Sequence, residues 1–175
     1  MSNSTSKSKG NAFEIKTARE LGSWIFGDKN ILYKHSTSGA IKIVYNGDIV
    51  PQKNIPMSFN NGVFPFLIEC KHGYKGTIPN LNNQTIVRKW ISKSIEELNE
   101  RQKILYLIIK FHNYSTLFIT DVELNIKSEL ILNLKTSTNY IPFYIYNYNS
   151  VLSIKFNELY KNNQQMIDRL KKEHL

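Results

Sequence analysis

Hydrophobic positions along the chain change from helical spacing to strand spacing and back. An apolar stripe at helical spacing, opened by an Asn-x-x-Glu start typical of a capping box, predicts a helix over residues 11–26. Alternating β-branched and aromatic residues, separated by turn residues, predict paired strands over residues 31–36 and 41–50. An apolar run predicts a further strand over residues 63–71. The first half is therefore predicted as a helix followed by a small sheet.

The second half of the chain repeats these patterns. Residues 84–101 are amphipathic and predict a second helix. Residues 52–62 are predicted as a long loop or a hairpin, and residues 72–83 as a loop. The order of elements predicts an α/β or α+β fold with a mixed central β-sheet flanked by helices. The remaining predicted elements are strands over residues 104–111, 116–120, 141–146 and 151–156 and a last helix over residues 157–172.

The length of 175 residues, of which 41% are hydrophobic, suits one compact domain and is too short for two of ordinary size. Residues 1–9 are rich in Ser and Lys and cannot bury enough surface to offset chain entropy. We therefore expect a basic, disordered tail over residues 1–9 and a single domain over residues 10–175.

The chain is strongly basic, with 23 Lys and Arg against 14 Asp and Glu and a formal net charge of +9. A charge of this sign favours polyanionic partners such as nucleic acid or anionic lipid head groups. A surface of solvated lysines without such a partner is the alternative interpretation.

Cysteine usage and hydropathy restrict the classes of protein further. Cys70 is the only cysteine, which excludes an intramolecular disulfide and a thiolate zinc cluster, and the histidines lack a zinc spacing. No stretch approaches the length that spans a bilayer. We expect an intracellular, cytoplasmic protein without a membrane partner, and leave association with a nucleoid and a phage origin open.

The candidate chemistry lies where the apolar strand ends in Glu69-Cys70-Lys71. Residues two apart in a strand point to one face, so Glu69 and Lys71 project together. If the strand that carries Asp48 pairs alongside, its carboxylate approaches that of Glu69 within reach of one cation. Two carboxylates, the backbone carbonyl of Cys70 and waters suit Mg²⁺. The sequence therefore predicts a metal site at the end of this strand.

Such an ion would neutralise charge on a phosphate and lower the pKa of a bound water, while Lys71 orients that water or helps to deprotonate it. Glu14 would add a carboxylate through a water or hold a second ion. Glu-x-Lys is a short pattern, and a second copy at Glu14-Ile15-Lys16 falls on a predicted helix, where residues two apart do not share a face. A salt-bridged strand end is the alternative.

Four short motifs occur in a characteristic order. They are Lys9-Gly10 with Glu14, Ser38-Gly39, Gly47-Asp48-Ile49-Val50 and Ile68-Glu69-Cys70-Lys71. Together they resemble the PD-(D/E)xK nuclease superfamily, and within it the archaeal-type and phage Holliday junction resolvases. The likeness covers about the first half of the chain.

The resemblance implies a restriction-endonuclease-like fold and a Mg²⁺-dependent DNA endonuclease, with Mn²⁺ able to substitute. It also implies a homodimer that cuts two strands of a four-way junction, with Glu14, Asp48, Glu69 and Lys71 as the catalytic set. Two departures stand out: Gly47 replaces the proline of the motif, and the interval from Asp48 to Glu69 is long. The implied insertion leaves the choice of substrate open.

Cationic, polar and aromatic residues around these motifs are candidates for DNA contacts, although each is also compatible with a solvated rim. The serines among them are ordinary turn formers. The Tyr-rich segment over residues 140–148 fits core packing better than base stacking. The candidate DNA contacts are Lys7, Lys9, Lys16, Arg19, Ser36, Ser38, His72, Tyr74 and Lys75.

Three functions stay open from the sequence. The favoured one is a structure-selective endonuclease that resolves Holliday junctions. The second is another PD-(D/E)xK nuclease, restriction-like or active in recombination and repair. The third is a non-catalytic, basic nucleic-acid-binding module. An ATP-driven role would need a partner, because the sequence has no Gly-rich Walker loop.

Overall fold

The structure is a computed structural model that describes residues 3–35, 45–52, 54–74, 85–112, 114–135 and 140–159, with the side chains of residues 3–7 left out. Its helices and strands follow the predicted order through most of the chain. The helices are α1 Asn3–Phe26, α2 Thr85–Glu96, α3 Tyr148–Leu152 and α4 Phe156–Leu159, and a short 3₁₀ turn spans Asn60–Gly62. The strands are β1 Leu32–Lys34, β2 Ile49–Pro51, β3 Phe66–Tyr74, β4 Ile104–Phe111, β5 Thr116–Thr120, β6 Leu130–Lys135 and β7 Tyr140–Asn147.

The strands form one seven-stranded sheet in the order β1-β2-β3-β4-β5-β7-β6. β3 and β4 are parallel, and the other neighbouring pairs are antiparallel. Helix α2 lies between β3 and β4 in the sequence, as a parallel connection requires. The predicted fold, a mixed central sheet flanked by helices, is confirmed.

Each face of the sheet carries its own apolar core. One core lies under α1, α3 and α4 and contains Leu21, Ile68 and Val151. The other lies under α2 and contains Val87 and Leu107. Central strands between two layers are apolar on both faces, which explains the unbroken hydrophobic runs of β3 and β4.

Strand β3 alternates between these two cores. Ile68 and Cys70 belong to the α1 side, and Leu67 belongs to the α2 side. Glu69 and Lys71 continue the α2-side row, and His72 continues the α1-side row. The chemistry at the end of this strand is therefore divided between two faces.

Helix α1 begins eight residues before its predicted start, so residues 3–9 are helical where a disordered tail was predicted. Residues 11–26 pack on the sheet through Ala18 and Leu21, which gives the helix a stable core. Once a helix is nucleated, each added residue contributes one hydrogen bond at little further cost. The predicted single domain over residues 10–175 stays a prediction.

Other boundaries also differ from the prediction. Residues 45–48 are irregular rather than part of a strand over residues 41–50, and residues 41–44 lie outside the described part. Residues 52 and 54–62 hold no strand, so the loop alternative applies to them. Residues 72–74, predicted as loop, continue β3 along its partner β4.

The predicted strand over residues 151–156 is wrong, because this segment contributes to helices α3 and α4. The Asn147 side chain accepts hydrogen bonds from the backbone N–H groups of Asn149 and Ser150 and caps α3. Apolar residues that alternate over so short a stretch fit either structure. The predicted last helix is described only as far as Leu159, the end of α4.

Strand β6 was not predicted, although Leu130, Leu132 and Leu134 alternate with other residues there. Its antiparallel pairing with β7 forms the far edge of the sheet. In the Tyr-rich segment, Tyr146 and Tyr148 are buried, in agreement with the predicted core role. Among the described helices, none has the length and apolarity needed to cross a bilayer.

Candidate active site

Asp48 is held by two hydrogen bonds to the edge of β3 and by one to the residue that follows β1. Its backbone N–H donates to the carbonyl of Ile68 at 2.9 Å, and its own carbonyl accepts from His35 N–H at 2.7 Å. Its Oδ2 accepts from the backbone N–H of Cys70 at 2.8 Å. Because β2 ends its pairing with β3 at Ile49, the carboxylate of Asp48 occupies the strand edge where the next pair would form.

Gly47 makes this close approach to β3 feasible. Its φ is +100°, a backbone conformation that favours glycine, and a Cβ built there would lie 2.7 Å from the carbonyl oxygen of Ile68. Proline has φ near −65° and could not adopt this turn. The glycine at the proline position of the motif is therefore required by the backbone path that delivers Asp48.

Gln102 holds the segment before Asp48 in place. Its fully buried side chain donates from Nε2 to the carbonyls of Asn46 at 2.8 Å and Phe66 at 2.9 Å. Its Oε1 accepts from Asn46 N–H at 2.5 Å and from Asn99 Nδ2 at 3.0 Å. One amide thus joins the turn that carries Asp48 to the start of β3.

Lys71 links the two carboxylates. Its Nζ lies 2.7 Å from Glu69 Oε2 and 3.8 Å from Asp48 Oδ2. The two carboxylate oxygens cannot be farther apart than these two distances together. The predicted shared face of Glu69 and Lys71 is confirmed by this contact, and Asp48 lies beside them.

Burial dominates the electrostatics of this group. Burial, and next the negative charge of Asp48, raise the pKa of Glu69, although Lys71 opposes the shift. Burial also acts against the charge of Lys71, yet the pKa of Lys71 is raised because Glu69 and then Asp48 lie close to it. The carboxylate pair therefore favours a cation between its members, a position that the ammonium of Lys71 now approaches.

Glu14 belongs to a neighbouring ion pair. Its Oε2 lies 2.7 Å from Lys34 Nζ on β1, and the same ammonium donates to Asn11 Oδ1. Burial, and then the charges of Asp48, Glu14 and Glu69 in that order, raise the pKa of the buried Cys70 thiol. Glu14 therefore acts on the same buried thiol as Asp48 and Glu69, and its ion-pair partner is Lys34.

The donor atoms available at the site fit a hard divalent cation. Within the described residues, no three His, Cys, Asp or Glu side chains converge on one point, so the structure does not add Glu14 as a third direct ligand. The N–H and C=O of one strand residue point to the same side, so the Cys70 carbonyl faces the edge where Asp48 lies. Asp48, Glu69 and this carbonyl offer oxygen only, which suits Mg²⁺ or Mn²⁺.

The candidate DNA contacts are divided among three places. Lys9, Lys16 and His72 line one cleft between α1 and the sheet. Arg19 lines other cavities on α1, and the Tyr74 ring packs against Trp90 of α2, with ring centroids 4.5 Å apart. Ser36, Ser38, Lys75 and the side chain of Lys7 lie outside the described residues.

The sequence patterns did not identify two residues that shape the site. Lys34 looks like an ordinary strand lysine, and only the packing of α1 against β1 brings it to Glu14. Gln102 lies in a polar segment between α2 and β4, where burial is not expected. No local pattern identifies either residue, because both act through partners distant in the sequence.

One comparison with known proteins found a match. A family model described as "Phage putative PDDEXK endonuclease" matches residues 5–172, which is nearly the whole chain. No curated protein and no solved structure matched. The family match extends well beyond the motifs in the first half of the chain. The chain therefore belongs to the family of phage PD-(D/E)xK endonucleases.

Proposed function

We propose that this protein is a Mg²⁺-dependent, structure-selective DNA endonuclease that resolves four-way junctions. The observation that carries the proposal is the contact of one ammonium, Lys71, with two carboxylates from different parts of the chain at an open strand edge. Membership of the endonuclease family supports the reaction class. The charge of +9 supports a nucleic-acid substrate.

Each residue of the group has a distinct task in this proposal. Asp48 and Glu69 would hold the cation together with the Cys70 carbonyl. Asp48 is already oriented by its hydrogen bond from Cys70 N–H, so little reorganisation is needed on binding. Bound Mg²⁺ or Mn²⁺ would supply charge neutralisation at the phosphate and an acidified water.

Lys71 has a flexible stem that lets its ammonium reach a phosphate oxygen or a water beside the carboxylates. Its raised pKa keeps it protonated near neutral pH, so its role is to orient the water and stabilise negative charge on the phosphate. Glu14, which is paired with Lys34, would order a water at the edge of the site. Two cuts in one junction need two such sites, which is why we propose a homodimer.

The test compares substrates and variants in parallel. With Mg²⁺, the protein is expected to make paired nicks across a four-way junction and to cut linear duplex, flap and single-stranded DNA much more slowly. Asp48→Asn should lower cleavage by at least about 100-fold while junction binding persists. Glu96→Gln, the same change at an exposed site on α2, should cleave normally.

The other outcomes identify the alternatives. Equal cutting of linear duplex would contradict junction selectivity and indicate a general nuclease. Binding without cleavage under all metal conditions would indicate a non-catalytic module. Mass photometry of the protein on a junction tests the dimer, and a single copy on each junction would contradict it.

A further inference from the structure

Three neighbouring strands place polar residues in one row beyond the α1-side core. In the sheet register, His72 of β3 lies beside Lys110 of β4, and Lys110 lies beside Thr116 of β5. In the preceding row, two positions earlier on β3 and β4, Cys70 and Ile108 belong to the apolar core. The row therefore begins where the hydrophobic layer ends.

Helix α1 covers this row with its own cations. Lys9, Phe13 and Lys16 recur at helical spacing and face the row across a cavity of about 470 Å³. The ring centroids of Phe13 and His72 lie 5.3 Å apart, so this pair joins the helix to the strand on the inner side of the cavity. We call the space lined by Lys9, Phe13, Lys16, His72, Lys110 and Thr116 the basic cleft.

Few negative charges offset those of the basic cleft. Glu20 also lines it, but its carboxylate lies 3.6 Å from Lys16 Nζ and accepts a hydrogen bond from the hydroxyl of Tyr148 at 3.2 Å. A second cavity, of about 730 Å³, adjoins the cleft through His72 and Lys110 and adds His112, with the exposed Glu129 at its rim. Among their described lining residues, the two adjoining cavities carry three lysines, at positions 9, 16 and 110, against two carboxylates.

We propose that the basic cleft binds the phosphate backbone of a DNA strand that extends from the scissile phosphate. This inference rests on the proposed function for the identity of the strand. The cleft starts at His72, the residue after Lys71, so it opens at the same end of β3 as the candidate active site but on the opposite face of the sheet, and a DNA strand that passes around this end of β3 would reach both. Lys9 and Lys16 are about 10 Å apart along the helix axis. Repeated anions, at about 3.4 Å of axial rise per nucleotide, can engage both lysines at once.

Lys110 is the central residue of the cleft. Its Nζ donates to the carbonyl of Tyr114 at 2.5 Å, which holds the ammonium at the junction of the two cavities. An ammonium has two further N–H groups for phosphate oxygens. The structure thus assigns to Lys110 a DNA contact that its sequence position in a buried strand does not suggest.

The test measures DNA affinity without cleavage, by fluorescence anisotropy of the full chain in EDTA over a range of salt concentrations. Lys110→Ala and Lys9→Ala should each weaken binding and reduce the slope of log affinity against log salt by about one. Lys110→Arg should restore the slope. Lys135→Ala, which removes an exposed lysine from the far edge strand β6, should change neither value.

Equal effects of Lys110→Ala and Lys135→Ala, or a wild-type chain that does not bind DNA, would overturn the assignment of the cleft. Inorganic phosphate is a further control. If it displaces DNA and binds as tightly as DNA itself, the cleft is a small-anion site, and this result would also overturn the assignment. A chain that never cleaves DNA but loses affinity through Lys110→Ala would contradict the proposed function and leave the cleft assignment standing.

Discussion

The two faces of strand β3 carry different kinds of charge. On the α2 side, Glu69 and Lys71 form with Asp48 a compact group in which two carboxylates share one ammonium. On the α1 side, His72 opens a cleft whose described lining contains three lysines and one acidic residue, Glu20. Strand alternation places these opposite environments on neighbouring residues.

Their surroundings differ as well. The mixed-charge group is largely buried and rests on backbone hydrogen bonds and on the fully buried Gln102. The basic cleft is partly open, and its lysines come from a helix surface and a strand end. A rigid, buried group suits transition-state stabilisation, and an open cationic surface suits backbone binding. Substitutions on the two faces should therefore affect different kinetic quantities.

The largest effect is expected for Glu69→Gln. The change removes one of two carboxylates from the proposed metal site, so cleavage should fall by at least about 100-fold. Mg²⁺ should raise the melting temperature of the wild-type chain and not that of this variant. Lys110→Ala, on the other face, should mainly raise KM. If Glu69→Gln and Lys110→Ala lowered kcat to a similar extent, the assignment of catalysis to one face and DNA binding to the other would be contradicted.

Gln102→Met tests the support of Asp48. The variant keeps the size of the side chain but leaves the Asn46 and Phe66 carbonyls without its hydrogen bonds, which should cost about 2–4 kcal/mol of stability. The kcat of the folded protein should fall while DNA affinity is retained. Leu132→Ala is the control. It removes a buried side chain on β6, in the core under α2, at a similar cost in stability and should retain kcat. Equal kcat values for both variants would show a purely structural role for Gln102.

Gly47→Ala tests the turn that delivers Asp48. The added Cβ would meet the Ile68 carbonyl at a φ unsuited to alanine, which should cost about 1–3 kcal/mol and lower kcat. Gly10→Ala in helix α1, where an added Cβ would meet no described atom outside its own stretch of helix within 4 Å, is the control and should stabilise the protein by about 1 kcal/mol. Denaturant unfolding measures both changes. Stabilisation by Gly47→Ala would contradict the turn geometry.

The smallest effect concerns pH. Because folding raises the pKa of Glu69, its protonated form favours the folded state. This contribution is complete below the unfolded value of 4.5 and is lost as pH rises through the folded value. In metal-free buffer, the stability of the wild-type chain relative to Glu69→Gln should therefore fall from pH 4.5 towards neutrality. A rise over this range in urea unfolding experiments would show that Lys71 outweighs burial.

The sequence by itself determined the main elements of the sheet and the face shared by Glu69 and Lys71. Strand alternation fixes which side chains share a face, and long apolar runs mark the buried strands β3 and β4. The same local information could not distinguish the short helices α3 and α4 from a strand. The side chain of Asn147 caps α3 and favours a helix at that position.

Tertiary structure decided what surrounds the motif. The pairing of β2 with β3 brings Asp48 to Glu69, and the packing of α1 on β1 pairs Glu14 with Lys34. The basic cleft likewise exists only because α1 covers the ends of three adjacent strands. These contacts join residues that are far apart in the chain, and local sequence patterns do not determine which distant segments pack together.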